Sequence, residues 1–233
     1  MSLTWIDTGT FDGLVAPTFD ELTPEKGFAV IDLETTGFKA GEDKIVEIGV
    51  VLLDVNYQPT HQIETLVNPQ RTMKASHVHK ISAKEVANSP TFHDIALSLF
   101  SLLNGRTVVA HNVSFEKRFL VEEFKNSGFF KLNFLHPDNF LDTMVVAPRQ
   151  FQGVGKSLGA LTRASNIVIP EPHEALPDAI GTAKLLGLTG PTDRFSDIPN
   201  HLLQADRRRY ETKWQRRSIN YGLNLWESRN RNI

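Results

Sequence analysis

Two acids stand two residues apart, Asp32 and Glu34, in the run Phe28-Ala29-Val30-Ile31-Asp32-Leu33-Glu34-Thr35-Thr36-Gly37. The apolar start reads as a buried strand, and Thr-Thr-Gly as the turn that ends it. Alternation along a strand sends both carboxylates to one face. Carboxylates that close repel each other unless a cation or a shared proton relieves them. An all-oxygen pair suits Mg²⁺ or Mn²⁺. Taken alone, the pair also fits the solvent face of an edge strand.

Two further clusters carry the same chemistry. Val108 to Leu120 includes His111-Asn112 and then Glu116, an acid placed in the first turn of a helix, where the helix dipole favours an anion. Alone, Glu116 also reads as an ordinary first-turn acid. In Glu171-Pro172-His173-Glu174-Ala175-Leu176-Pro177-Asp178-Ala179, a helix starting near Leu176 puts His173 in the preceding loop and Asp178 in the first turn. Imidazole changes charge near neutral pH, so a histidine beside a carboxylate cluster suits a general base.

The elements that must position these residues follow from periodicity and turn signals. Strands are expected over 28–34, 44–53, 63–67, 107–110 and 139–141, the first three forming a meander with a turn at 56–58. Residues 71–90 read as a connector with two short helical pieces, Ser82 and Glu85 making a capping box. Further helices are expected over 92–103, from a Ser114 cap through Phe124, after Asp142-Thr143, over 157–164, and from about 173 to 186. Phe115, Phe119 and Leu120 form one apolar helix face. A meander followed by alternating helices and strands gives an α/β fold around a mixed five-stranded sheet flanked by helices. Residues 1–27 read as an N-terminal arm, 28–190 as one catalytic domain, and 191–233 as a basic helical C-terminal extension with its helix over 201–217.

Composition narrows the class. The 233 residues are 40% hydrophobic and 22% charged, which suits a soluble chain with a sizeable core. No cysteine is present, which removes disulfides, zinc–thiolate sites and cysteine nucleophiles. No apolar run is long enough to span a membrane, and Met1–Thr10 lacks a basic segment followed by an apolar one. These features are compatible with a cytoplasmic location and no membrane partner. The net charge of −2 is uneven, with eight Lys/Arg against three Asp/Glu from His201 to Ile233. That tail interleaves Arg207, Arg208, Arg209, Arg216 and Arg217 with Tyr210, Trp214, Tyr221 and Trp226. Such a pattern suits nucleic acid, and equally an amphipathic helix folded back on an acidic body or a partner interface. Gly155-Lys156-Ser157 is no phosphate loop, because the upstream glycine it requires is Gln150. His173-Glu174-Ala175-Leu176-Pro177 lacks the second histidine of a zinc-protease helix.

In order and spacing, the three clusters resemble the DEDD superfamily of 3′–5′ exonucleases, in the histidine-containing, DnaQ-like branch of DNA polymerase III epsilon-subunit and RNase T type. Val78-His79-Lys80-Ile81-Ser82 resembles that family's Val-His-Gly-Ile-Thr segment, and Leu141-Asp142-Thr143 its Asp-Thr segment; the likeness covers residues 28–187. The resemblance implies an RNase H-like fold and a phosphodiester hydrolase that releases nucleoside 5′-monophosphates from single-stranded DNA or RNA 3′ ends. A DNA polymerase becomes a candidate partner. It further implies two divalent cations, Mg²⁺ or Mn²⁺, held by Asp32, Glu34, Glu116 and Asp178, with His173 as general base. Thr35, Thr36 and the backbone near Leu33 would line the terminal-nucleotide pocket, His79 and Asn112 would contact the nucleotide, and Phe115 would pack beneath it. Glu116 departs from the family's Asp by one methylene, about 1.5 Å of reach, and Lys80 replaces a glycine. The Glu116 departure keeps open an alternative: a catalytically impaired nucleic-acid-binding or polymerase-associated module.

Overall fold

The structure, a computed structural model, describes residues 4–5, 27–73, 79–129, 139–149, 151, 153–169 and 172–188. The C-terminal extension expected over 191–233, its basic helix included, and most of the N-terminal arm lie outside the described residues. The strands are β1 (Thr4–Trp5), β2 (Phe28–Thr35), β3 (Ile45–Leu53), β4 (Pro59–Leu66), β5 (Thr107–Ala110) and β6 (Phe140–Asp142). They form one sheet in the order β1-β4-β3-β2-β5-β6. Strands β2, β3 and β4 are the antiparallel meander, while β5 and β6 run parallel to β2. The five expected strands thus make a mixed sheet. The sixth is two residues of the arm, added antiparallel to the β4 edge.

Among the described residues, six α-helices accompany the sheet: α1 (Ala83–Val86), α2 (Phe92–Leu103), α3 (Val113–Asn126), α4 (Thr143–Val146), α5 (Leu158–Ala164) and α6 (Ala175–Leu188). Their starts follow local capping chemistry. Ser82 and Glu85 close a capping box on α1, Thr91 and Asp94 another on α2, and Asp142 accepts from Met144 N–H to begin α4. Helix α3 begins two residues earlier than a Ser114 cap predicts. Its N-cap is Asn112, in the left-handed conformation at φ 77°, which asparagine tolerates better than most residues.

The alternation of β2 divides the core in two. Ala29, Ile31 and Leu33 face a cluster completed by Leu99, Leu103, Phe119 and Phe124 of α2 and α3. Val30 faces the opposite cluster with Leu176, Ala179, Ala183 and Leu186 of α6. Burying each of these larger side chains contributes roughly 1.5–3 kcal/mol. That core is what lets the fold carry the unfavourable cluster of acids described next. Following Val30 by twos, Asp32 and Glu34 point to the α6 side, near the carboxyl ends of the parallel strands β2 and β5, the usual edge for ligands in α/β sheets.

Candidate functional site

Strand β2 supplies Asp32 and Glu34, and the first turn of α6 supplies Asp178. One carboxylate oxygen from each lies within 4.8 Å of the others. Oxygens around a magnesium ion are about 3–4 Å apart, so only a slight contraction separates this trio from a ligand set. Burial, reinforced by the charges of Asp178, Glu34 and Glu47, holds the Asp32 carboxyl well above the usual range. Burial and the neighbouring Glu47 and Asp178 push Glu34 up to about 8. Asp178 is also raised by burial, partly opposed by the His173 backbone N–H, which donates to its carboxylate at 3.2 Å.

Glu116 approaches from the other layer. It sits in the first turn of α3 and is only 4% exposed. Burial and the Asp32 charge raise its carboxyl. Its Oε2 is buried with no hydrogen-bond partner among the described residues. A buried acceptor left without a donor is costly unless something absent from the bare chain satisfies it. Three converging carboxylates and one orphaned carboxylate oxygen beside them fit a hard divalent cation. Glu116 faces Asp32 but stands outside the three-residue group.

The other expected contacts are placed unevenly. His173 is exposed in the loop before α6, at φ 71°. Asn112 is exposed; its backbone N–H donates to Asp142 at 3.0 Å and its side chain accepts from Ser114. Phe115 is half-buried, with its ring 4.8 Å from that of Phe119. His79 is 3% exposed, and its Nδ1 accepts from Ile81 N–H, so Nε2 carries the proton of the neutral ring. It lines a cavity of about 510 Å³ shared with Glu47, Lys80 and Glu174. Lys80 holds φ 61°, in the left-handed region that favours glycine, so the family's glycine there has a backbone reason.

The Thr-Thr-Gly turn is held by hydrogen bonds from both threonine hydroxyls. Leu33 is a core side chain, 4% exposed. Thr36 is wholly buried; its hydroxyl donates to Asp43 at 3.3 Å and accepts from Lys44 N–H at 3.0 Å. Its side chain therefore shapes the turn. Thr35 spends its hydroxyl on the Gly37 carbonyl. Gly37 carries no side chain because a Cβ would stand 2.5 Å from the Asp43 carboxylate, which also accepts from Lys39 N–H. Phe38, next in the chain, projects its ring into solvent at 76% exposure.

Sequence reasoning passed over Glu47, His111 and Asp43. Glu47 lies opposite Glu34 on β3 and is 7% exposed. Burial pushes its carboxyl up to about 7, opposed by the Ala175 N–H that it accepts at 2.9 Å. His111 joins three segments, with Nδ1 2.9 Å from Thr143 Oγ1 and Nε2 2.8 Å from the Lys156 carbonyl. A carbonyl can only accept, so Nε2 carries a proton. The one available signal was an acid inside the otherwise apolar strand Ile45–Leu53.

Comparison with known proteins gives a consistent picture. The family described as Exonuclease, of RNase T type, matches residues 29–186. A DNA polymerase III subunit epsilon from Rickettsia typhi is 30% identical over 199 residues, covering 82% of this chain and 87% of that protein. A 3′-5′ exonuclease DinG from Bacillus subtilis is 34% identical over 157 residues, 65% of this chain, but the match spans only 16% of DinG. Among solved structures, exonuclease X in complex with 5′ overhanging duplex DNA superposes with a TM-score of 0.56 at 28% identity, covering 70% of this chain and 90% of that one.

Proposed function

The chain belongs to the exonuclease family of the DnaQ-like DEDD superfamily and is a 3′–5′ exonuclease, and on that premise we propose how it works. It hydrolyses the last phosphodiester of a single-stranded DNA or RNA 3′ end and releases a nucleoside 5′-monophosphate. The observation that carries this reading is the convergence of Asp32, Glu34 and Asp178 within 4.8 Å. These three would hold Mg²⁺ or Mn²⁺, with Glu116 serving the ion pair from the Asp32 side. Bound there, the cations would bring positive charge to an anionic diester, lower the pKa of water and stabilise the leaving 3′ oxygen.

The chain's own residues do the rest. His173 lies on the solvent side of the cluster, five residues before Asp178, and takes the proton of the attacking water. Its backbone N–H fixes the Asp178 carboxylate, so base and ligand move together. Asn112, Phe115 and the exposed ring of Phe38 contact the terminal nucleotide, and His79 approaches it from the adjoining cavity. A polymerase is the partner suggested by the likeness to an epsilon subunit.

The test is incubation of the purified chain with single-stranded DNA and matched RNA in Mg²⁺, Mn²⁺ or EDTA. Stepwise release of 5′-monophosphates, stopped by EDTA, is the expected result, and the faster substrate assigns the nucleic acid. A folded protein that releases nothing under any of these conditions refutes the reading. His173→Ala is expected to lower kcat by roughly 10²–10⁴, the usual worth of a positioned general base. Mg²⁺ affinity stays as in the parent, measured by calorimetry. A parallel fall in metal affinity assigns His173 to the metal site instead.

A further inference from the structure

The two residues of β3 that pair with the acids of β2 are Gly49, opposite Asp32, and Glu47, opposite Glu34. Both touch the start of α6, the helix that brings the third acid. The Glu47 carboxylate accepts from Ala175 N–H at 2.9 Å, across 128 residues of sequence. At Gly49 the helix backbone lies directly on the strand. A Cβ there would stand 2.3 Å from the Ala175 carbonyl carbon and 2.4 Å from Leu176 N, a clash with backbone that no rotamer relieves. Residues two apart on a strand share a face, so the acceptor and the gap form one surface. Asp178 is in the first turn above it, three residues after Ala175.

We propose that Glu47 and Gly49 form a seat on β3 for the first turn of α6, which sets the position of Asp178 and with it the metal affinity of the site. Glu47 acts in this as a hydrogen-bond acceptor for Ala175 N–H, not as a further metal ligand and not through its charge. It is a positioning residue: it acts on the cation through Asp178. A helix end held by one side chain and one bare stretch of strand moves as a unit when either is changed, and a ligand displaced by even an ångström loses its place around a small, rigid cation such as Mg²⁺. The proposal rests on the metal-dependent reading above.

The experiment compares the full chain with Glu47→Ala and Glu47→Gln by two readouts: Mg²⁺ affinity by calorimetry, and hydrogen–deuterium exchange across residues 175–179. Glu47→Ala is expected to weaken Mg²⁺ binding about tenfold to a hundredfold, the usual effect of removing a group that orients a ligand, and to speed exchange in the first turn of α6. Glu47→Gln keeps an acceptor and loses the charge, so it retains both the affinity and the slow exchange. A Glu47→Gln protein as impaired as Glu47→Ala overturns the proposal in favour of a charge or ligand role. Parental affinity in Glu47→Ala overturns it outright. If Glu47→Ala does not fold, Glu47→Gln against the parent decides, retention supporting the seat and loss refuting it. A parent that binds no Mg²⁺ refutes the metal-dependent reading, and the exchange comparison alone then decides whether the seat exists.

Discussion

Asp32→Ala and Asp178→Ala are each expected to lose nucleotide release by about 10³-fold or more while remaining folded. Stabilisation of transition-state charge by bound cations is worth several kcal/mol, and each 1.36 kcal/mol is about a factor of ten in rate. Removing one of three acids that converge within 4.8 Å takes away that contribution rather than trimming it. The same substitutions are expected to leave the metal-free protein as stable as the parent, or more stable, near pH 8. Asp32 and Asp178 are each raised by burial, and Asp32 also by the Asp178 charge, so the bare cluster is a liability that the apolar core offsets. Deleting one carboxylate relieves its neighbours, the usual exchange of stability for function at an active site. Activity assays paired with thermal melts in EDTA check both halves. Parental turnover in either variant, or a large loss of melting temperature, contradicts the assignment.

What the sequence disclosed and what it hid divide along a physical line. Local signals were legible. The apolar run before Asp32, the capping box at Ser82 and the Asp142 cap each depend on a few adjacent residues, and each element lies where those residues place it. The meeting of Asp32 and Glu34 with Asp178 was legible only because the order of three clusters resembles a family; no periodicity relates residues 32 and 178. Glu47 was hidden because its role needs two facts that no local pattern contains. One is the register that sets it opposite Glu34, with an irregularity just beyond where Thr35 pairs with Ile45. The other is a contact with Ala175 far along the chain. The Thr36–Asp43 hydrogen bond was hidden for a related reason: a threonine in a turn gives no local sign of its hydroxyl's partner, and here that partner lies seven residues on. The two-residue strand β1 has no periodicity to read at all.

Mg²⁺ is expected to raise the melting temperature more at pH 8.5 than at pH 6, and the metal-free protein is expected to lose stability as pH rises between those values. Glu34 titrates at about 8 in the folded chain against an ordinary 4.5, and Asp32, Glu116 and Asp178 shift in the same direction. Across that window the folded state holds more protons than the unfolded state, so raising pH favours unfolding. Below about pH 4.5 both states hold the Glu34 proton, and this contribution to the pH dependence vanishes. A cation binds the ionised cluster and releases those protons, so its affinity grows as they leave. With the ion at about 100 times its dissociation constant, the stabilisation is about 2.7 kcal/mol. For a domain of this size that is roughly 5–10 °C. At pH 6 protons compete for the same oxygens and the shift shrinks. Asp32→Ala serves as the control, because surface groups titrate identically in both proteins while the metal response belongs to the cluster. Equal Mg²⁺ shifts at the two pH values, or an equal response in Asp32→Ala, would show that the carboxylates converging from β2 and α6 do not hold the ion.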